Sequence, residues 1–345
     1  VFGRRISGGC LEGRLGLGRI PVQRALFSGN GDILKIQIPS VHLLSSLEFA
    51  IMSLFSRLAD RLILCPTTEP IDPEDRVREV LRGSGWQCEL WGKRWEPNWQ
   101  GLGQGREAAD RNAVASAVAV EQARQRLAEQ LTRTSPQEWA VLKFPGTGGR
   151  AERAGPHPLE LWPNASGEVW AVNPPGYGTS GGTAAVRFMP EVAAASWEFV
   201  RRRHPRLQSL LVGNSLGGTS ALHLAARHEV SALFLRNPPP IHQLIRSRPR
   251  YNWWNLGAAR WVAAEFPASF DAVANAARCR APALFVQSER DRLVPVSYQQ
   301  EIIDAYAGPK RVFVISGADH HESLPDDQLP AYLEALEWLR AAASI

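Results

Sequence analysis

From Glu138 onward the chain alternates between short apolar runs and longer stretches of helical periodicity. The runs "WAVLKF", "EVWAVN", "SLLVG", "ALFLRN", "ALFVQS" and "RVFVIS" are almost continuously apolar. That is the character of strands buried on both faces. Helical segments, Ala184–Arg203 and Ser220–Arg227 among them, separate most of these runs. Strands alternating with helices make right-handed crossovers, so the pattern predicts an α/β fold with a doubly wound, mainly parallel sheet. Upstream, "VREVLRGSGWQCELWGKRW" reads as a hairpin turning at Gly83-Ser84-Gly85, which would start the sheet. Residues 107–131 form a long Ala-rich helical pattern, expected as an excursion lying across the sheet.

The N-terminal residues follow a different rule. Residues 1–32 are rich in Gly and Arg without a core-forming pattern, and the first methionine is Met52. The expectation is that residues 1–51 are a disordered or non-native extension, that translation begins at Met52, and that 52–345 is the folded domain. "IMSLFSRLADRLILC" then places Leu54, Leu58, Leu62 and Ile63 on one helical face, interrupted by Arg57, Asp60 and Arg61. The preceding "VHLLSSLEFAIMSLF" carries Glu48 and is too short before Arg57 to span a bilayer. A helix packed on the domain is expected, with peripheral membrane contact through its Leu/Phe face as the alternative.

Composition narrows the function classes. The 345 residues suffice for one large α/β domain, and 44% hydrophobic with 21% charged content is ordinary for a globular protein. The net charge of +5 comes from scattered arginines, and the cluster Arg201-Arg202-Arg203 falls at a predicted helix end, where cations suit the dipole. No zinc-ligand spacing or basic-aromatic repeat points to nucleic acid, so no nucleic-acid partner, metal or cofactor is expected. Cys10, Cys65, Cys88 and Cys279 are widely separated. They suggest neither a disulfide scaffold nor structural zinc, and a reducing cytoplasm fits them.

One junction carries chemistry. In "LLVGNSLGGTSALHLAAR" a greasy strand passes into a greasy helix through Gly213-Asn214-Ser215-Leu216-Gly217. This G-x-S-x-G spacing, between strand and helix, holds a serine in a turn too crowded for Cβ atoms two positions either side. Functional groups of such sheets gather at the carboxyl ends of strands. After the other runs come Pro145-Gly146-Thr147-Gly148-Gly149, Pro174 to Ser180, Glu289-Arg290-Asp291 and Gly317-Ala318-Asp319-His320-His321. Ser215 is a weak nucleophile without a base. His320 or His321 can supply that base, and Asp291 can fix its tautomer. The order serine, acid, histidine matches the order such an elbow requires.

With "FPGTGG", "NPPGYGTS", "GNSLGG", "SERDRLVP" and "SGADHHE", the chain from about Asp72 to its end resembles the α/β-hydrolase superfamily of serine esterases and lipases. The resemblance implies Asp291, in its D-x-x-V-P setting, as the acid. It implies His320, three residues after Gly317, as the base rather than His321. It also implies oxyanion donors from the Leu216 backbone and the loop after "WAVLKF", where Thr147 is the choice and Gly148 the fallback. That loop carries Pro145-Gly146 where the commoner pattern has His-Gly. Tyr177 is a candidate for the pocket wall. Residues 239–280 occupy the position of a short helical lid, with Trp253 and Trp254, near Trp261, either packing beneath it or forming an acyl-binding wall. His223 and His228 are expected to be structural, and His157 and His242 receive no role. The implied activity is hydrolysis of a carboxylic ester, thioester or amide through an acyl-enzyme, on a small-molecule ester or acyl substrate. The alternative is a catalytically silent relative that binds or scaffolds.

Overall fold

The apolar runs become neighbouring strands of a single sheet. The computed structural model describes residues 60, 63–97, 136–162, 164–247 and 266–344. Eight strands follow in chain order: β1 (Val77–Gly83), β2 (Trp86–Trp95), β3 (Gln137–Phe144), β4 (Ala165–Asn173), β5 (Gln208–Asn214), β6 (Ala232–Arg236), β7 (Ala283–Ser288) and β8 (Lys310–Ile315). Their spatial order is β1-β2-β4-β3-β5-β6-β7-β8. The β1–β2 hairpin turns at Ser84-Gly85, with Gly83 facing Trp86, and β2 meets β4 antiparallel. All pairings from β4 through β8 are parallel.

Alternate side chains of each central strand enter separate cores, as the period of two demands. On one face Ala140, Leu142, Leu211, Leu233, Leu235 and Phe285 pack under three helices, α1 (Met189–Arg203), α2 (Gly217–Ala225) and α5 (Val296–Ala305). On the other, Val141, Leu210, Val212, Phe234 and Leu284 pack under Trp139, Trp162 and α6 (Leu329–Ala342). Both faces are covered, which explains why the strands read as continuous apolar runs.

Helix boundaries depart from the sequence expectation in two places. The stretch expected to be helical from Ala184 opens with a 3-10 turn at Val186–Phe188, and α1 starts at Met189. Pro190 follows in the first turn, where a missing N–H costs nothing. The helix after the serine begins at Gly217 rather than Ser220, because the turn is tighter than propensity alone suggests. Within the expected lid segment, α3 (Ile241–Ser247) and α4 (Ala272–Ala276) form. Ala272 and Ala276 of α4 belong to the core beside α2, so that end of the segment is part of the domain body. Asp271 caps α4 by accepting from the Val273 and Ala274 N–H groups. The expected 1–51 extension, the 107–131 excursion and Trp253, Trp254 and Trp261 lie outside the described residues. Among the described residues no helix is long and apolar enough to cross a membrane.

The glycine-rich loop after β4 is held from beneath by buried polar groups. Asn173, fully buried, accepts from the Ala151 N–H at 2.8 Å and donates to Glu152 at 2.9 Å. Glu152 pairs with buried Arg150, whose guanidinium also donates to the carbonyls of Thr67 and Glu69.

The junction of β5 and α2 is the tightest packing that bears on the serine. A Cβ on Gly217 would lie 1.9 Å from the Phe144 carbonyl oxygen, and one on Gly213 would lie 2.5 Å from the Gly218 Cα. Backbone on both sides leaves no side chain that could yield. Gly217→Val and Gly213→Val should therefore each destabilise the fold by about 3 kcal/mol or more, measured as a shift in denaturant midpoint. Two variants as stable as the parent would show the strand–turn–helix geometry to be wrong.

Candidate active site

Ser215 stands at the end of β5 with φ 48°, a left-handed conformation that a residue with a Cβ rarely adopts. Its N–H donates to the Arg236 carbonyl at 2.8 Å, and its own carbonyl accepts from the Gly218 N–H at 2.8 Å. The strain is thus held between β6 and the first turn of α2. The side chain is half-buried and points towards the loop that follows β8.

His320 comes from that loop. Its Nε2 lies 3.0 Å from Ser215 Oγ, and its Nδ1 lies 2.6 Å from Asp291 Oδ2. With Nδ1–H donating to the carboxylate, Nε2 is left as acceptor for the serine hydroxyl. The Asp291 side chain is fully buried and that of His320 is 5% exposed. Asp291 Oδ1 accepts from the Leu293 and Val294 N–H groups at 2.9 and 2.7 Å. Its Oδ2 also accepts from Gln299 Nε2 at 3.1 Å, so α5 helps to aim the carboxylate. His321, adjacent in sequence, is exposed and meets the His320 ring edge-on with centroids 4.7 Å apart.

The loop after β3 approaches the serine closely. A Cβ on Gly146 would come within 3.1 Å of Ser215 Cβ. The Gly148 N–H is committed to the Leu64 carbonyl at 3.1 Å, and the Thr147 hydroxyl to the Ile63 carbonyl at 2.9 Å. The backbone N–H groups of Thr147 and Leu216 have no acceptor among the described residues. A model of the alpha/beta hydrolase fold family matches residues 159–264, the span holding the elbow. The strand order and crossovers around it are of that kind.

The chain has the α/β-hydrolase fold. Similar solved structures include the Pyrococcus furiosus esterase Pf2001, at 14% identity and a TM-score of 0.48 over 82% of this chain and 96% of that one. Est1E from Butyrivibrio proteoclasticus matches at 14% identity and a TM-score of 0.47, over 78% and 99%. An acylaminoacyl peptidase of Pyrococcus horikoshii matches at 10% identity and 0.47, over 79% of this chain but 42% of its own.

The hydrolase fold places the remaining candidates unevenly. Tyr177, expected at the pocket wall, is 2% exposed, and its hydroxyl donates to the Leu64 carbonyl. It packs with Leu64, Val186, Leu216, Phe266 and Phe270, so its ring braces the elbow instead of facing open space. His223 donates through Nδ1 to the Ser269 carbonyl at 2.8 Å, and burial lowers its pKa. Sequence reasoning missed four supporting residues: Gln299, Asn237, Arg292 and Asp319. Asn237, buried with φ 47°, donates to Ser288 Oγ at 3.0 Å and to the His320 carbonyl at 3.1 Å. It also accepts from the Ser288 N–H at 2.8 Å, tying the ends of β6 and β7 to the histidine loop. A turn asparagine at a strand end was the only local signal.

Asp319 joins the acid loop to the histidine loop. Its Oδ1 accepts from the Arg292 N–H at 3.0 Å and the His320 N–H at 2.7 Å, and its Oδ2 takes Arg292 Nε at 2.6 Å. The two N–H bonds, then the guanidinium, bring the carboxyl down to about 2. The Arg292 side chain is 89% exposed, so the ion pair itself adds little and the backbone bonds do the holding. A carboxyl depressed in the folded state contributes stability above its unfolded pKa and loses it as pH falls through the folded one. The latch is therefore intact throughout the range in which a histidine titrates and opens only as pH falls through about 2. Asp319→Ala should slow covalent labelling of Ser215 by a fluorophosphonate about tenfold or more. Asp319→Asn, which keeps an acceptor, should stay within a few-fold of the parent. Equal labelling rates for Asp319→Ala and parent would show that the latch does not position the histidine.

Proposed function

We propose that this chain is a serine hydrolase that cleaves a carboxylic ester through an acyl-enzyme on Ser215. One observation carries the reading: residues 105 and 29 apart in sequence meet in a single hydrogen-bonded line, Ser215 Oγ to His320 at 3.0 Å and His320 to Asp291 at 2.6 Å. A satisfied core histidine would not need a hydroxyl on one nitrogen and a buried carboxylate on the other. Such a line is what makes a serine hydroxyl nucleophilic at neutral pH.

In the proposed reaction, His320 Nε2 takes the Ser215 proton as Oγ attacks the ester carbonyl. The Oγ–C bond forms and the carbonyl becomes an oxyanion. Asp291 stabilises the resulting imidazolium without taking the proton. The Leu216 and Thr147 N–H groups are the donors for the oxyanion, and preorganised donors of this kind are worth about 2.7–4 kcal/mol each. The imidazolium then protonates the departing alkoxide, which leaves an acyl-serine. Water, activated by the same imidazole, releases the acid and restores Ser215. An alcohol leaves with less help than an amine, so esters are preferred to amides among acyl substrates.

Ser215→Ala should abolish both ester turnover and fluorophosphonate labelling while the fold survives, since Ala fits wherever Ser does in the turn. A folded parent protein that the probe never labels would leave a binding or scaffold role in place of catalysis. His320→Ala should lower the acylation rate by about 10⁴–10⁶-fold. Asp291→Asn should lose about 10⁴-fold by leaving the imidazole in the wrong tautomer. His321→Ala should stay close to the parent. Measured kcat/KM on p-nitrophenyl esters decides among these, and full activity in both histidine variants would remove the general base from the mechanism.

A further inference from the structure

A cavity of about 370 Å³ opens beside the elbow, on the α6 side of the sheet. Lys143, Asn214 and Arg236 reach it from the ends of β3, β5 and β6, with Phe234, Leu324 and Tyr332 among its apolar and aromatic walls. Asn214 immediately precedes Ser215 in the chain, so one wall of the cavity is continuous with the elbow.

Two cations face this space without carboxylate partners. Lys143 is 7% exposed, and its Nζ donates to the carbonyls of Gly155 and His157 at 2.7 and 2.8 Å, which leaves one donor over. Arg236 donates through one terminal nitrogen to the Glu322 carbonyl, while its Nε is buried with no partner. Among the described residues neither is within ion-pair distance of an acid. The nearby carboxylates are engaged elsewhere: Glu160 with His157 at 3.6 Å, and Asp291 with His320, Gln299 and two backbone N–H groups. Burial brings Lys143 down to about 8 and also lowers Arg236. His157 lines the same cavity, and its pKa is lowered, chiefly by burial. Buried cations are ordinarily paired, because an unpaired charge away from water is costly.

We infer that this cavity is a carboxylate-binding subsite, in which a carboxylate of the substrate is seated between Lys143 and Arg236. The word substrate rests on the serine-hydrolase reading; the binding of a carboxylate does not. The unused Lys143 N–H and the terminal Arg236 N–H groups not taken by the Glu322 carbonyl offer charge-assisted bonds to the two oxygens of a planar acceptor. Val212, Phe234 and Val286 line the same space and suit a short methylene chain. The substrate class is thus the half-ester of a small dicarboxylic acid, with its free acid end in the cavity and its ester carbonyl at Ser215.

The first test is calorimetric titration of the folded Ser215→Ala protein with succinate, which needs no turnover. Succinate should bind, and Arg236→Gln and Lys143→Met in that background should each weaken it about tenfold or more. Lys143→Met keeps the buried stem and guards against a variant that fails merely by unfolding. The second test compares kcat/KM for monoethyl succinate and ethyl butyrate by proton release. The half-ester should be preferred in the parent, and Arg236→Gln and Lys143→Met should each reduce that preference about tenfold. Absence of succinate binding would overturn the inference, as would an equal loss on both esters. Inorganic phosphate binding more tightly than succinate would overturn the choice of a carboxylate. Failure of the hydrolase reading would instead show as an unlabelled Ser215 in a protein that still binds succinate.

Discussion

The close approach between the end of β3 and the turn after β5 sets the reference frame for the whole site. With the Phe144 carbonyl where a Gly217 Cβ would lie, the chain can pass from β5 into α2 only by a turn that forces Ser215 to φ 48°. A non-glycine residue held there costs on the order of 1–3 kcal/mol. Burial on both sides outweighs that cost. Leu210, Leu211 and Val212 are at most 1% exposed, and every residue of α2 is buried. The same approach brings the loop after β3 beside the serine, with the Thr147 and Leu216 N–H groups left without acceptors among the described residues.

The acid and histidine loops are set against this frame by hydrogen bonds rather than by apolar packing. Asp291 is fixed by two backbone N–H groups and Gln299, and His320 by Asp291, with its own backbone held by Asn237 and Asp319. Each such bond contributes only about 0.5–1.5 kcal/mol net. Their value is directional, since an imidazole must present one nitrogen to each neighbour. In a buried setting the bonds are also costly to break, because a stranded partner cannot turn to water.

Polar groups at the strand ends are shared between two roles. Residues on the α1–α2 face, such as Phe144 and Leu235, continue the core to the end of their strands. On the α6 face the last side chains of β3, β5 and β6 are Lys143, Asn214 and Arg236, and there the core opens into a cavity. Arg236 contributes twice. Its carbonyl anchors the Ser215 N–H, and its side chain reaches the Glu322 carbonyl in the histidine loop.

Local pattern determined much of this protein. Continuous apolar runs marked β3 through β7 because strands covered on both faces have no polar alternation to lose, whereas the similar run of β8, expected to be buried, forms the sheet edge and leaves Val312 and Val314 exposed. The glycines around Ser215 marked the elbow, and the spacing of Asp291 and of His320 from Gly317 placed both candidates in strand-end loops. What sequence could not separate was His320 from His321 on chemistry alone. The choice depends on which ring points inwards, and the fold decides it by tying the His320 backbone to Asp319 and Asn237 while His321 stays exposed. Tyr177 shows the opposite case, a pocket candidate that tertiary packing turned into a brace. Gln299 and the Lys143–Arg236 cavity left no readable pattern, and Asn237 only that of a turn asparagine, because each arises where elements distant in sequence meet. Periodicity reports which face of an element is buried, whereas pairing between strand ends exists only once the sheet has brought them together.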